Sequence, residues 1–310
     1  KSIMKSKICI LLSLLIAQLA WANSYNDKAI KVDNTVKVSA GSIERYLFRS
    51  DYVDERNIDV WLPEDYSGSR KYAVLYMHDG QMLYDASGAW NAKEWDVDTT
   101  VDKLMKEGKI RDVIVVGIYN NGNKRHIEYF PQKAIDLIAE PEHKKVIDLM
   151  PGGPLADKYL KFIVTELKPF IDATYSTKPE QKNTFIAGSS MGGLISMYAI
   201  CEYPQVFAGA GCLSTHWIGT FDNNKEIPEA FNAYLKKNLP SARNHKIYFD
   251  NGTVGLDANY PEYQKMIDST VRAAGYTDKS LMTLEFSGDD HNEICWSLRL
   301  HIPLTFLLEK

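Results

Sequence analysis

Short apolar runs alternate with longer segments of helical periodicity along most of this chain. Two of the runs, 72–77 (YAVLYM) and 113–119 (VIVVGIY), are apolar almost throughout, which is typical of strands that helices cover on both faces of a parallel sheet. The first two runs, which include the alternating segment IDVWL, predict an antiparallel hairpin. The predicted strands are 45–49, 58–62, 72–77, 113–119, 184–187, 207–213, 246–250 and 281–286.

Helical periodicity is clearest between the fourth and fifth predicted strands, where one apolar stripe recurs at helix spacing. The stripe consists of Leu160, Ile163, Val164, Leu167, Phe170 and Ile171. Pro169 is expected to kink the last turn of this helix. Further helices are predicted over 93–107, 191–202, 258–274 and 293–308.

The order of these elements predicts an α/β fold, with a mostly parallel, eight-stranded sheet flanked by helices. No linker interrupts the pattern, so residues 42–310 are expected to form one continuous domain after a polar extension over 23–41. Residues 121–155 are rich in Gly and Pro and are expected to form a cap or loop wall over a site.

Composition excludes a disordered chain, a collagen and a coiled coil. The chain has 310 residues, of which 45% are hydrophobic and 25% charged, as in an ordinary globular protein. Its formal net charge is −4 and it has no long basic run, so nucleic acid is not an expected partner.

The first residues predict export. Lys5 and Lys7 precede an apolar run over 8–20, and the triplet AWA at 20–22 has the pattern that a signal peptidase cleaves. The run is shorter than the roughly 20 residues that span a bilayer. We therefore expect a signal peptide over 1–22, a secreted or periplasmic location, and no membrane insertion after cleavage.

The cysteines do not indicate a metal site. Outside the predicted signal peptide they are Cys201, Cys212 and Cys295, and they lack the spacing of zinc ligands. We expect these cysteines to be small, buried, apolar side chains, and the sequence allows at most one disulfide among them. Neither a metal nor an organic cofactor is expected.

A candidate nucleophile lies between a predicted strand and a predicted helix. The segment Gly188-Ser189-Ser190-Met191-Gly192 fits the G-x-S-x-G pattern of a sharp strand-to-helix turn. Such a turn strains the central serine and needs small residues two positions before and two after it. Ser190 is therefore predicted to stand above the carboxyl edge of the sheet, where open α/β folds keep their sites.

A serine nucleophile requires a base and a carboxylate that orients it, and in this type of fold they follow in the order serine, acid, histidine. His291 lies after the last predicted strand and before the terminal helix, a position that suits the base. The acid is Asp257 or Asp250. We favour Asp257, because a loop carboxylate can reach laterally under the imidazole, whereas Asp250 ends a strand.

Two backbone N–H groups are predicted to stabilise the oxyanion that acyl transfer creates. One belongs to Met191, directly after the nucleophile. The other belongs to Gln81, which follows the Gly80 turn after the third predicted strand.

Five segments together resemble a known family. They are HDGQMLYD (78–85), KRHIEYFP (124–131), GSSMGG (188–193), FDNGTVGLDANY (249–260) and DDHNEICW (289–296). They resemble esterases of the esterase D type, which are α/β-hydrolases and include enterochelin esterases, bacterial feruloyl esterases and mycolyltransferases. The resemblance covers roughly residues 42–308 and implies the α/β-hydrolase fold, a Ser190–Asp257–His291 triad and an oxyanion hole at Gln81 and Met191.

The resemblance also implies where substrate binds. Family members carry Arg and Tyr in the loop after the fourth strand, which makes Arg125, Glu128 and Tyr129 candidates to wall the pocket. Tyr129, His216 and Trp217 would suit an aromatic or sugar ligand, although core packing is the commoner role of such residues.

The sequence thus predicts a secreted serine esterase that acts on a small-molecule or carbohydrate ester. The expected substrate is an aryl or acetyl ester of a carbohydrate, or a siderophore ester. Acyl transfer to a sugar by the same triad is one alternative. A non-catalytic binding protein on the same fold is the other.

Overall fold

The computed structural model describes residues 27–33, 35–89 and 91–310. The predicted signal peptide, residues 1–22, lies outside these ranges. Within them no helix is both long enough and apolar enough to cross a bilayer.

One sheet runs through the molecule. Its strands are β1 (Ala29–Val32), β2 (Ser42–Phe48), β3 (Arg56–Leu62), β4 (Ala73–His78), β5 (Val113–Ile118), β6 (Thr184–Ser189), β7 (Gly209–Leu213), β8 (Lys246–Gly252) and β9 (Leu281–Phe286). In the described part of the chain these nine strands lie in the order β1-β2-β3-β5-β4-β6-β7-β8-β9. β1 to β3 pair antiparallel, as does β3 with β5, and all the other pairs are parallel.

The predicted eight-stranded sheet therefore needs a correction to nine strands. The additional strand, β1, lies in the polar stretch 23–41 and places Ala29 opposite Phe48 of β2. It is an edge strand of 4 residues with two exposed positions. A segment of 4 residues is too short to show an alternation from which a strand could be recognised.

Helices cover both faces of the sheet. They are α1 (Val97–Lys106), α2 (Arg125–Tyr129), α3 (Glu142–Asp148), α4 (Ala156–Phe162), α5 (Lys168–Thr174), α6 (Met191–Glu202), α7 (Glu226–Asn238), α8 (Pro261–Ala273), α9 (Glu293–Arg299) and α10 (His301–Leu308). Buried residues of α2 to α8 belong to one hydrophobic core, and those of α1, α9 and α10 to a second. In β4, Val74 and Tyr76 face the first core and Leu75 and Met77 the second, as strand alternation requires.

Two predicted helices are interrupted, each beside a proline. The predicted helix 293–308 is divided into α9 and α10 at Leu300, because Pro303 has no N–H to bond the Arg299 carbonyl. The predicted helix around 160–171 contains one wide turn over Ile163–Leu167. Pro169 lies in the first turn of α5, directly after this wide turn. The irregular turn is therefore before the proline, whereas the kink was expected in the last turn of the helix.

The segment 121–155 is more regular than predicted, since it contains α2, α3 and two short 3₁₀ turns. The helix α7 was not predicted, although its buried Ile227, Phe231 and Tyr234 have helix spacing. Cys201 and Cys212 are buried and Cys295 is half-buried, and all three are free thiols.

Parallel strands bring their carboxyl ends to one edge of the sheet. At this edge β4 is followed by Asp79, β6 by Ser190 and β7 by Ser214. The 3₁₀ turn Gly255–Asn259 follows β8, and His291 lies between β9 and α9. Residues far apart in the sequence therefore meet there.

Candidate active site

Ser190 occupies a strained backbone position between β6 and α6. Its φ is 58° and its ψ is −122°, a region that non-glycine residues rarely adopt. Its N–H donates to the Leu213 carbonyl at 2.9 Å, which fixes the turn to β7. A Cβ atom on Gly188 would lie 3.0 Å from the backbone of Gly192, so the turn needs glycine at that position.

His291 and Asp257 form a hydrogen-bonded pair. The Nδ1 of His291 lies 2.5 Å from Oδ1 of Asp257. The other carboxylate oxygen, Oδ2, accepts the Ser214 hydroxyl and the Gly252 N–H, each at 2.6 Å. A carboxylate only accepts, so Nδ1 carries the proton and Nε2 is the nitrogen left to act as a base.

The surroundings of Asp257 favour its charged form. Its side chain is fully buried, and burial alone would raise the pKa of the carboxyl group. The hydrogen bonds from His291, Ser214 and Gly252 outweigh burial and hold this pKa below its usual range. The carboxylate of Asp257 is therefore ionised and accepts the hydrogen bond from His291 in its charged form.

Asp250, the alternative acid, has a different partner. It forms a buried ion pair with Arg299, whose Nη2 lies 3.0 Å from Oδ1 of Asp250. The same carboxylate accepts the Ser214 N–H at 3.0 Å and the Tyr248 hydroxyl at 2.8 Å. Burial raises the pKa of Asp250 in spite of Arg299. The structure thus brings Asp257, and not Asp250, to His291.

Ser190 and His291 line the same pocket, which has a volume of about 780 Å³. Within the described part of the chain no hydrogen bond joins their side chains. Catalytic hydrogen bonds are often long in structures without substrate and shorten when substrate binds. The serine hydroxyl and the imidazole therefore belong to residues that line one common cavity.

Gln81 and Met191 line this pocket as well. Gln81 belongs to the 3₁₀ turn Gly80–Met82, and Met191 is the first residue of α6. N–H groups in the first turn of a helix have no partner within that helix, which leaves them free for an oxyanion. Asp79, directly before the first of these turns, has a φ of 57°.

Arg125 is held by Asp79 at the pocket wall. Its Nε and Nη2 lie 2.8 Å and 2.7 Å from the two carboxylate oxygens of Asp79. Asn120 donates a further hydrogen bond of 2.7 Å to the same carboxylate. Arg125 thus lines the pocket as predicted, but its charge is already neutralised, and it fixes the Asp79 turn that leads to Gln81.

The other three residues predicted to contact substrate lie elsewhere. Glu128 is fully buried and pairs with Arg56, with 2.7 Å between Oε1 and Nη2. Tyr129 and Trp217 are fully buried in the core, and the Trp217 indole N–H donates to a glutamine of α8. None of the three lines the pocket described above, so their assignment to substrate binding is corrected to packing and internal pairing.

The pocket mouth carries apolar side chains. Phe221 and Leu149 line it, and they are 90% and 51% exposed. Deeper in the same pocket, the rings of Trp95 and Trp296 lie 5.3 Å apart. His216 is also in the wall, where burial and the neighbouring cations lower its pKa to about 3 and keep it neutral.

Among the residues that the structure describes, no group of three or more His, Cys, Asp or Glu side chains is arranged to hold a metal ion.

A comparison with protein families decides which family the chain represents. A family model described as "Putative esterase" matches residues 51–296. The chain belongs to this esterase family. Among individual relatives, the uncharacterized protein YbbA of Bacillus subtilis is 27% identical over 164 residues, which are 52% of this chain and 58% of YbbA. An endo-1,4-beta-xylanase/feruloyl esterase of Xylanibacter ruminicola is 25% identical over 272 residues, or 84% of this chain and 30% of that protein. These two matches span less than two thirds of the length of the relatives.

Solved structures share the fold of this chain. The enterobactin esterase FES from Shigella flexneri superposes with a TM-score of 0.62 at 17% identity, over 86% of this chain and 59% of that one. The ferulic acid esterase AmCE1/Fae1A from Anaeromyces mucronatus gives a TM-score of 0.59 at 19% identity, over 89% of this chain and 94% of that one. The predicted α/β-hydrolase fold is confirmed.

Three side chains of the candidate site were not predicted from the sequence. The Ser214 hydroxyl donates to Asp257, and Trp296 and Arg299 each donate to that hydroxyl. Ser214 follows the carboxyl end of β7, as Ser190 follows β6, and that position was the signal that could have marked it. No comparable signal marks the other two, because only the packing of α9 brings them to the sheet edge.

Proposed function

We propose that this esterase is a serine carboxylic-ester hydrolase with Ser190 as nucleophile, His291 as base and Asp257 as the orienting acid. One observation carries the proposal: the Asp257-bound imidazole shares a pocket with a serine on a strained turn. Hydrolysis through a covalent intermediate needs such a nucleophile, base and orienting group together.

The reaction follows from these positions. The Ser190 oxygen attacks the ester carbonyl carbon while Nε2 of His291 takes the hydroxyl proton. The backbone N–H groups of Gln81 and Met191 stabilise the resulting oxyanion. When the intermediate collapses, the imidazolium gives its proton to the leaving alkoxide, and the alcohol departs from an acyl-serine. Water then adds to the acyl carbon and loses a proton to Nε2. When this second intermediate collapses, the imidazolium gives that proton to the Ser190 oxygen, and the acid is released.

The pocket supports an ester with an aromatic acyl group as substrate, either on a carbohydrate or in a siderophore. The exposed Phe221 and Leu149 and the Trp95–Trp296 pair offer apolar and aromatic surface on which a planar ring can pack. Two of the similar proteins are named for feruloyl and enterobactin ester hydrolysis, which is the same chemistry. A secreted or periplasmic location is part of the proposal and rests on residues 1–22 of the sequence alone.

Replacing the nucleophile tests the proposal. In Ser190→Ala we expect turnover of any accepted ester to fall at least about 10³-fold, because the covalent path is lost. A suitable panel contains short-chain nitrophenyl esters, methyl ferulate, feruloylated arabinoxylan and enterobactin. The matched control is Ser269→Ala, which removes an exposed hydroxyl of α8 that bonds only the Lys265 carbonyl.

A fluorophosphonate probe provides a second readout, since it modifies only an activated serine. We expect one label on the wild type and on Ser269→Ala, located at Ser190 by peptide mass analysis, and none on Ser190→Ala. Undiminished hydrolysis by Ser190→Ala, or a label on another serine, would refute the proposal. Products that contain a sugar ester in place of free acid would show acyl transfer instead of hydrolysis.

A further inference from the structure

Ser214 is the centre of a buried hydrogen-bond cluster beneath the candidate triad. Its hydroxyl lies 2.6 Å from Oδ2 of Asp257, 2.9 Å from Nε1 of Trp296 and 2.9 Å from Nη2 of Arg299. Ser214 is fully buried, so water does not compete for these contacts. The hydroxyl therefore has three protein partners at once.

The direction of the hydroxyl hydrogen follows from the chemistry of those partners. An indole N–H and a guanidinium N–H can only donate, and a carboxylate can only accept. Trp296 and Arg299 therefore occupy the lone pairs of the Ser214 oxygen, and its single hydrogen points at Asp257. Donation from the positively charged Arg299 polarises the hydroxyl and strengthens the bond that it gives to Asp257.

We propose that Ser214 is a positioning residue for the hydrolytic reaction: its hydroxyl, directed by Trp296 and Arg299, fixes the Asp257 carboxylate and limits how strongly that carboxylate stabilises the His291 imidazolium. This inference rests on the proposed function, in which His291 must gain and lose a proton in each cycle. Oδ2 of Asp257 accepts the hydrogen bond from the Ser214 hydroxyl, while Oδ1 accepts the one from the imidazole N–H.

The backbone shows that the position is built for this contact. Ser214 has a φ of 40°, a strained value that a non-glycine residue keeps only where the surrounding contacts over-determine it. Its N–H donates to Asp250 at 3.0 Å, and Asp250 is the buried counter-ion of Arg299. Arg299 also donates to Asp289 at 2.7 Å, in the loop that carries His291. One cluster therefore anchors both the acid and the loop of the base.

Several other groups face His291 and act alongside Ser214. They are the carboxylates of Asp257, Asp290 and Glu293, the phenol of Tyr260, and the imidazole of His216. Of these groups, only the Asp257 carboxylate loses a hydrogen bond when the Ser214 hydroxyl is removed, and the others keep their contacts. A change in the pH dependence of activity would then report the lost bond to Asp257.

The decisive variants are Ser214→Ala and Ser214→Gly. Both remove the hydroxyl, and the glycine variant also accepts a φ of 40° without strain, which protects folding. We expect kcat to fall about tenfold, with KM changed less than about twofold, because the Asp257 carboxylate is no longer fixed and orients the imidazole less well. The acidic limb of the kcat/KM profile is expected to move to higher pH by about 0.5–1 unit, because the less solvated carboxylate stabilises the imidazolium more.

The control is Thr270→Val, which removes another buried hydroxyl, donated to Asn232 between α8 and α7 at 2.6 Å. It is expected to lower the melting temperature without moving the pH profile. The low-field proton resonance of His291 Nδ1–H gives a readout independent of activity, and it should shift in the Ser214 variants alone.

An unchanged resonance and an unchanged pH profile in the Ser214 variants would overturn the inference, even if stability fell. Failure of the proposed function looks different. In that case Ser190→Ala would retain activity, and the resonance would still decide whether Ser214 governs the Asp257–His291 pair.

Discussion

Two buried aspartates at the same edge of the sheet have opposite electrostatic surroundings. Asp257 accepts bonds from an imidazole, a hydroxyl and a backbone N–H, and its pKa is lowered in spite of burial. Asp250 is paired with Arg299, yet burial keeps its pKa raised. Each carboxylate thus has one role, Asp257 toward His291 and Asp250 toward the packing of α9.

Replacing each aspartate by asparagine separates these roles. In Asp257→Asn we expect kcat to fall about 10³–10⁴-fold, because the amide can favour the wrong imidazole tautomer. In Asp250→Asn the buried Arg299 loses its main counter-charge, so the free energy of unfolding should fall by roughly 3–5 kcal/mol. Turnover numbers and urea denaturation of both variants check this. A large loss of stability in Asp257→Asn with normal turnover would contradict the assignment.

Position relative to strand ends was enough to predict that Ser190, Asp257 and His291 lie at one edge of the sheet, because the carboxyl ends of parallel strands meet there. Glu128 and Trp217 were assigned to the pocket in error. Their polar atoms find internal partners, Arg56 for Glu128 and Gln264 for Trp217, on elements that a single sequence does not bring together.

The end of β8 and the loop after β9 approach each other closely at Gly252. A Cβ atom at this position would lie 2.1 Å from the Asp289 carbonyl oxygen, much less than a van der Waals contact. That carbonyl accepts the N–H groups of Thr253 and Val254, and the Gly252 N–H donates to Asp257. The absence of a side chain at Gly252 therefore sets the distance between the loop that carries His291 and the strand that leads to Asp257.

Gly252→Ala should move these two elements apart. We expect kcat to fall at least about tenfold and stability to drop by about 1–3 kcal/mol, as for other overpacked sites. Steady-state kinetics and thermal melts measure the two effects. Gly68→Ala is the matched control, because a Cβ there meets nothing within 4 Å. If the two variants have the same kcat and the same melting temperature, the close approach at Gly252 does not affect activity or stability.

Elements with a strong local sequence pattern were predicted correctly, and elements with a weak pattern were missed. The helix α6 begins and ends where it was predicted, at 191 and 202, because its flanking turn and apolar run are unambiguous. The strand β1 has only 4 residues and gains its hydrogen bonds from β2, so tertiary pairing decides it. The break at Leu300 depends on one missing N–H at Pro303, which a periodicity argument overlooks.

Across the whole molecule, burial keeps two histidines near the pocket neutral. His78 ends β4 and its Nδ1 bonds the Tyr159 hydroxyl at 2.8 Å, while Nδ1 of His216 bonds the Tyr260 hydroxyl at 2.7 Å. Burial, the largest cause in both, lowers each pKa from 6.5 to about 3. Neither side chain adds a positive charge to the pocket region at neutral pH.

This neutrality makes stability depend on pH. Between pH 6.5 and about 3 the unfolded chain binds a proton at His78 and at His216 that the folded protein does not bind. Stability is therefore fully present above pH 6.5 and is lost as the pH falls. Each histidine contributes a slope of about 1.4 kcal/mol per pH unit, and the two together about 2.7.

Urea denaturation at pH 7, 6, 5 and 4 measures that slope. In His78→Asn, whose amide can still meet the Tyr159 hydroxyl, we expect the slope to fall by about 1.4 kcal/mol per pH unit, whatever the variant costs at pH 7. The exposed His301 is the control, since His301→Asn should leave the slope unchanged. Raised carboxyl pKa values such as that of Asp250 act in the opposite sense, but they are common to all three proteins and cancel in the comparison. If the free energy of unfolding depends on pH equally in His78→Asn and the wild type, His78 is protonated alike in the folded and unfolded chains. The conclusion that burial keeps His78 neutral would then be wrong.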